Sequence, residues 1–183
     1  GEQVISINPT GKDSDVKGPR FGATIVLSSL NHPNYNGIEL ASFGEQEPVV
    51  VDGPGEYEIE GIFVKGLATV GPKGKINTVF SITFEDINLC HLGAIGSADI
   101  LAETKGALGE IDILFVPTYD EETLDADAAY KLSTVLDPKI IIPLFYGNEK
   151  NDTLKKFLKE SGERAEISDK FVVKSKDLEG KEG

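Results

Sequence analysis

Through the first two thirds of the chain, short runs of β-branched and aromatic residues alternate with Gly, Pro and Asn. This texture predicts strands joined by tight turns. Residues 3–7 (Gln-Val-Ile-Ser-Ile) form the first run. Residues 23–27 are apolar without a break apart from Thr24, as expected of a strand covered on both faces. Pro48 introduces Val49-Val50-Val51, and Asp52-Gly53-Pro54-Gly55 follows as a turn, because glycine supplies positive φ and proline fixes its own. Over residues 57–69, Tyr57, Ile59, Ile62 and Val64 alternate with Glu and Lys, and Gly61 breaks the register as a bulge would. Residues 79–84 and 87–91 read as a hairpin joined at Glu85-Asp86.

The period then changes. Ile100, Leu101, Ala107 and Leu108 give a weak helical segment, and residues 111–116 a buried strand stopped by Pro117. Between residues 124 and 136, Ala128, Leu132, Val135 and Leu136 recur at i, i+4, i+7 and i+8, the spacing of one helix face. Residues 139–144 predict another buried strand. Residues 152–159 predict a helix with Leu154, Phe157 and Leu158 on one side. The C-terminal third therefore reads as β-α-β-α-β. With no internal repeat, low-complexity tract or linker, residues 1–183 form a single domain, an α/β (α+β) protein with helices packed outside a mixed sheet or sandwich.

Charge narrows the partners. Eighteen basic and 31 acidic side chains give a formal charge of -13, which repels nucleic acid and anionic lipid. No apolar run approaches the roughly 18 to 20 residues of a membrane span. That leaves a second copy of the chain or another protein as the macromolecular partner to expect. The single Cys90 lies in the strand-like run Ile87-Asn88-Leu89-Cys90 and reads as a buried thiol in a reducing, cytoplasmic setting. The chain contains no methionine and no signal-peptide pattern, and strand-like residues begin directly after Gly1-Glu2, so a segment is expected upstream.

Candidate chemistry is sparse. Ser28 and Ser29 stand near His32, but no Gly-x-Ser-x-Gly elbow surrounds them. Cys90 and His91 are successive strand residues and point to opposite faces. The acidic run over residues 120–127 lacks the spacing of a calcium loop; with Thr123 or Asp125 as cap, it suits a helix start. Gly71-Pro72-Lys73-Gly74-Lys75 is a turn between strands, not a phosphate cradle, since no helix follows it.

Five segments in order carry a family resemblance. They are residues 21–37, running from Phe21-Gly22-Ala23 through Leu30-Asn31-His32-Pro33-Asn34-Tyr35 to Gly37; Gly53-Pro54-Gly55-Glu56-Tyr57; His91-Leu92-Gly93-Ala94; Thr123-Leu124-Asp125; and Ile142-Pro143-Leu144-Phe145-Tyr146. Together they resemble the metallo-β-lactamase superfamily, in its branch similar to ascorbate-6-phosphate lactonases and other zinc-dependent hydrolases. The resemblance implies an αββα sandwich with zinc at the strand ends, and it assigns ligand positions to this chain. Leu30 stands where the family's first motif histidine would be, His32 at the second, Asn34 at the aspartate and Tyr35 at the last histidine. Ala94 replaces the bridging aspartate and Phe145 the final histidine. His91 is left without a definite counterpart.

Zinc requires imidazoles and carboxylates converging at about 2.0 to 2.2 Å with one position open for water. Leucine, alanine and phenylalanine cannot ligate. The expectation is thus a vestigial cleft of His32, Asn34, Tyr35, His91, Ala94 and Phe145, with no confident catalytic residue and no cofactor, although zinc belongs to the family; His32 and His91 are the remaining candidates for metal. A degenerate, non-catalytic binding or interaction protein is the reading favoured. The alternatives are a metal-dependent hydrolase with an unusual or incomplete site, and a structural partner for a segment upstream.

Overall fold

A computed structural model describes residues 3–42, 47–98, 101–118, 123–145, 151–162 and 165–181, without the side chains of residues 101–103. Three short strands, β1 (Ile5–Ile7), β2 (Ile25–Leu27) and β3 (Val49–Val51), form a parallel sheet in sequential order. Six more build a mixed sheet, also in sequential order: β4 (Gly55–Ile59), β5 (Ile62–Val70), β6 (Ile76–Phe84), β7 (Ile87–His91), β8 (Ile113–Pro117) and β9 (Ile140–Leu144). Pairing is antiparallel from β4 to β7 and parallel from β7 to β9. The change follows from the connections: short turns of two residues (β4–β5, β6–β7) or five (β5–β6) reverse the chain, whereas α1 (Leu101–Leu108) and α2 (Ala126–Leu136) carry it back to the same end. The last helix, α3 (Asp152–Ser161), follows β9.

Alternation along the strands sorts side chains into two cores. Ile25, Leu27 and Val51 of the small sheet meet Ile62, Val64, Phe80 and Ile82 of the large one, which makes the sandwich. On the other face of the large sheet, Val79, Cys90, Leu92, Leu114 and Val116 receive Ala129, Leu132 and Leu136 of α2 and Phe157 of α3. Removing a fully buried side chain such as Phe80 from water contributes roughly 2 to 3 kcal/mol. The outer face of the small sheet is covered by Phe21, Ile38 and Ala41, from a segment that includes the 3-10 turn Ile38–Leu40. The four layers are those of the expected αββα sandwich, with a 3-10 turn in place of a long helix on the small-sheet side.

Gly61 is a correction. It is not a bulge within one strand: Glu60 and Gly61 form the turn of a hairpin that pairs Ile59 with Ile62. Both have positive φ, at 51° and 83°, the conformation of a two-residue hairpin turn, which glycine enters without a Cβ clash. Glu85 and Asp86, at 49° and 61°, make the expected β6–β7 turn the same way. Asp125 is the cap of α2, accepting the Ala128 N–H at 2.7 Å. Ile100, Tyr146 and residues 120–122 of the acidic run lie outside the described residues.

Candidate functional site

The junction between β2 and the large sheet is built on backbone geometry. Past β2 the chain enters residues 28–37, a turn-rich loop held by Gly11 N–H to Pro33 C=O at 2.7 Å and Gly37 N–H to Pro9 C=O at 2.7 Å. These contacts bring the loop against residues 8–11. Ser14 Oγ donates to Asn34 Oδ1 at 2.8 Å, which gives that side chain a structural task.

The loop after β7 is fixed from below. Asn77, fully buried in β6, accepts the Ala94 N–H at 2.7 Å and donates to Leu92 C=O at 3.0 Å and Thr69 Oγ1 at 2.8 Å. Gly93 between them has φ 64°, and a Cβ there would lie 2.4 Å from Asn77 Oδ1 and 2.6 Å from Ser29 Cβ. Only glycine fits this passage. Sequence reasoning missed Asn77, because one asparagine within an apolar strand carries no pattern.

Four side chains converge on this frame: Leu30, Tyr35 and Ala94 are buried together, and Phe145 packs against them. Tyr35 and Phe145 meet edge to face with centroids 5.4 Å apart. Three of the six predicted cleft residues, Tyr35, Ala94 and Phe145, are thus in one cluster, and His32 joins its rim, 6.1 Å from Tyr35 by ring centroids. Asn34 is turned toward Ser14.

His91 lies apart from that cluster in its contacts, stacked on Phe115 of β8 at 5.7 Å. Its Nδ1 accepts the Gly93 N–H at 3.0 Å, so the neutral ring carries its proton on Nε2. Burial pushes its pKa down to about 4, against a smaller opposing effect of the backbone hydrogen bond. His32 uses the same device, its Nδ1 accepting the Asn34 N–H at 3.2 Å. No hydrogen bond or ring contact among the described residues joins the two histidines. Cys90, on the opposite face from His91, is free and buried, and burial pushes its thiol up to about 12, so it is no nucleophile at neutral pH.

No three His, Cys, Asp or Glu side chains among the described residues are grouped as a metal centre would require. The converging groups offer zinc a phenol and three hydrocarbon side chains, a poor donor set beside the nitrogen, sulfur and carboxylate ligands that zinc takes. A second feature, an open polar pocket of about 550 Å³ between residues 96–98 and the start of α2, is lined by Asp125, Asp127 and Lys131. Asp125 already caps the helix and Asp127 pairs with Lys156 at 2.7 Å. No helix among the described residues is long and apolar enough to cross a membrane.

Comparison with known proteins places this geometry. No curated protein matches the sequence. A solved structure from Thermotoga maritima, assigned as a zinc-dependent hydrolase of the metallo-β-lactamase superfamily, is 30% identical over 85% of this chain and 75% of its own, with a TM-score of 0.68. A protein of Parabacteroides distasonis assigned as a metal-dependent hydrolase shares the fold, at 20% identity over 86% of this chain and 81% of its own, with a TM-score of 0.62. A metallo hydrolase from Ignicoccus hospitalis does so at 12% identity over 76% and 73%, with a TM-score of 0.57. The family described as the β-lactamase superfamily domain matches residues 1–145, a span that includes both sheets and every side chain of the Leu30 cluster, and the chain therefore belongs to the metallo-β-lactamase superfamily.

Proposed function

We propose that this chain is a non-catalytic member of its superfamily, a binding or interaction module whose former metal cleft has become part of the core. One observation carries the reading: Leu30, Tyr35, Ala94 and Phe145, the residues that the family resemblance sets at ligand positions, form an apolar cluster. Zinc does not fit it. A dication placed there would lose its hydration shell and gain no anionic ligand, a cost of many kcal/mol. His32 and His91 remain as isolated imidazoles, each with Nδ1 engaged by a backbone N–H. The buried free thiol of Cys90 suits a reducing compartment, and we assign the chain to the cytoplasm on that basis.

The competing reading, a hydrolase with an incomplete metal site, draws on the 30% identical Thermotoga maritima protein. Hydrolysis of a panel of lactones, phosphodiesters and β-lactams, assayed with and without added zinc, separates the two. The proposal requires rates equal to buffer in both conditions. A zinc-dependent rate that disappears in the His91→Asn variant would establish the hydrolase instead.

A further inference from the structure

Two elements of this chain match each other and do not meet. The first is β4, one edge of the six-stranded sheet, with no strand on its outer side among the described residues. Ladder alternation leaves every second residue of such a strand with its N–H and C=O aimed outward, ready to pair with another strand. Glu56 and Glu58 project from one face of β4 and are exposed, Glu56 in an exposed ion pair with its cross-strand partner Lys65 at 3.6 Å; Tyr57 and Ile59 project from the other and pack against the inter-sheet core. Beside Glu58, its partner Phe63 on β5 is 54% exposed, a large apolar side chain at the surface.

The second element is the segment Lys170-Phe171-Val172-Val173-Lys174. It is β-branched, aromatic and locally basic in a chain of charge -13, and it forms no strand. Phe171 and Val172 are 55% and 66% exposed. Its ends are fixed by local bonds, Lys170 N–H to Ser168 Oγ at 3.2 Å and Lys174 N–H to Asp177 Oδ2 at 2.9 Å. No backbone hydrogen bond joins residues 171–173 to another described residue.

We propose that residues 170–174 of one copy add as a strand to the β4 edge of a second copy, reciprocally, making a two-fold dimer. Gly55–Ile59 alternates with period two, and residues 170–174, when extended, set Phe171 and Val173 on one side and Lys170, Val172 and Lys174 on the other. In an antiparallel addition offset by one residue, with Phe171 opposite Ile59, Val173 opposite Tyr57 and Lys174 opposite Glu56, Lys170, Val172 and Lys174 share the face of Glu56, Glu58 and Phe63, while Phe171 and Val173 extend the apolar face of Tyr57 and Ile59. The opposite register would set lysines over the apolar face and Phe171 among carboxylates, so charge and hydrophobicity select the same pairing. Among the described residues of one molecule neither the segment nor the outer side of β4 has a strand partner; two copies satisfy both, and reciprocity closes the assembly. The overall negative charge opposes association only weakly, because physiological salt screens repulsion between charges more than about 8 Å apart. The proposal is independent of whether the cleft holds metal.

Sedimentation velocity of the full chain over a concentration series tests it, with two charge-reversed variants and their combination. Glu56→Lys/Glu58→Lys and Lys170→Glu/Lys174→Glu alter exposed side chains. The proposal requires a monomer–dimer equilibrium in the parent, weakened about tenfold or more by either reversal and restored when both are combined. The β4 reversal is the sharper arm: it reduces the total negative charge, so nonspecific electrostatics would strengthen association where the proposal requires weakening. A parent that stays monomeric at every concentration overturns it, as do reversals that leave the equilibrium unchanged. Amide exchange showing residues 171–173 protected in a monomer would overturn it too, because the strand would then have added to its own molecule.

Discussion

Tyr35 and Phe145 meet edge to face, with ring planes at 79° and centroids 5.4 Å apart, and this contact joins the loop after β2 to the end of β9. Phe145 holds it from a left-handed backbone conformation, φ 61°, that a bulky side chain rarely adopts. Packing compensates for that strain. Tyr35→Ala removes a side chain only 8% exposed and is expected to lower stability by about 2 to 4 kcal/mol. Urea unfolding measures it, and a loss below about 0.5 kcal/mol would mean that the cluster contributes little.

Asn77 should be as sensitive although it touches no candidate ligand. Asn77→Leu leaves the Ala94 N–H and Leu92 C=O buried without partners, at about 2 to 4 kcal/mol for the two. Thermal unfolding reads the loss. Asn77→Ala in the same series should be no milder, since a cavity is added to the same unpaired groups.

The β6–β7 hairpin and the apolar run of β2 were legible because period and turn residues are local signals: Glu85-Asp86 takes its φ values from its own turn, whatever surrounds it. The face of α2 was read only in part, since Leu132 and Leu136 are buried but Val135 is 49% exposed, and Ala126, Ala129 and Ser133 complete the buried side. Gly61 was misread because a bulge and a two-residue turn use the same glycine, and only the pairing of Ile59 with Ile62 tells them apart. At the cleft, replacement of ligand types at Leu30, Ala94 and Phe145 could be read against the family's motif. That these side chains close on one another, while His91 turns to Phe115, depends on strands far apart in sequence. Asn77 was invisible for the same reason: its partners at residues 69, 92 and 94 are set by sheet register.

His91 predicts a pH dependence. Its folded pKa of about 4 lies below the ordinary 6.5 because burial disfavours the imidazolium. Between these values the unfolded chain binds more protons than the folded one, so stability falls as pH drops from about 6.5 toward 4 and levels off below. The full loss is about 3 kcal/mol. His91→Asn keeps an acceptor for the Gly93 N–H and does not titrate. Urea midpoints measured across this range should slope in the parent and flatten in the variant; equal slopes would assign the acid sensitivity to other groups.

Restoring donors should restore metal. The combined variant Leu30→His, Asn34→Asp, Tyr35→His, Ala94→Asp, Phe145→His places imidazoles and carboxylates at the positions given by the family resemblance. Without zinc it should be less stable by several kcal/mol, because Ala94 is fully buried and an aspartate there is an uncompensated charge. Zinc should raise its unfolding temperature and leave the parent's unchanged. A variant indifferent to zinc would show that the frame has moved as well as the side chains.

The most direct test of the central claim is zinc stoichiometry. The full chain is loaded with excess zinc, dialysed, and assayed for metal and protein together. A cleft closed by Leu30, Tyr35, Ala94 and Phe145 predicts zinc far below one per chain, unchanged by His32→Ala or His91→Asn. One tightly held zinc per chain, lost when either histidine is replaced, would contradict the account.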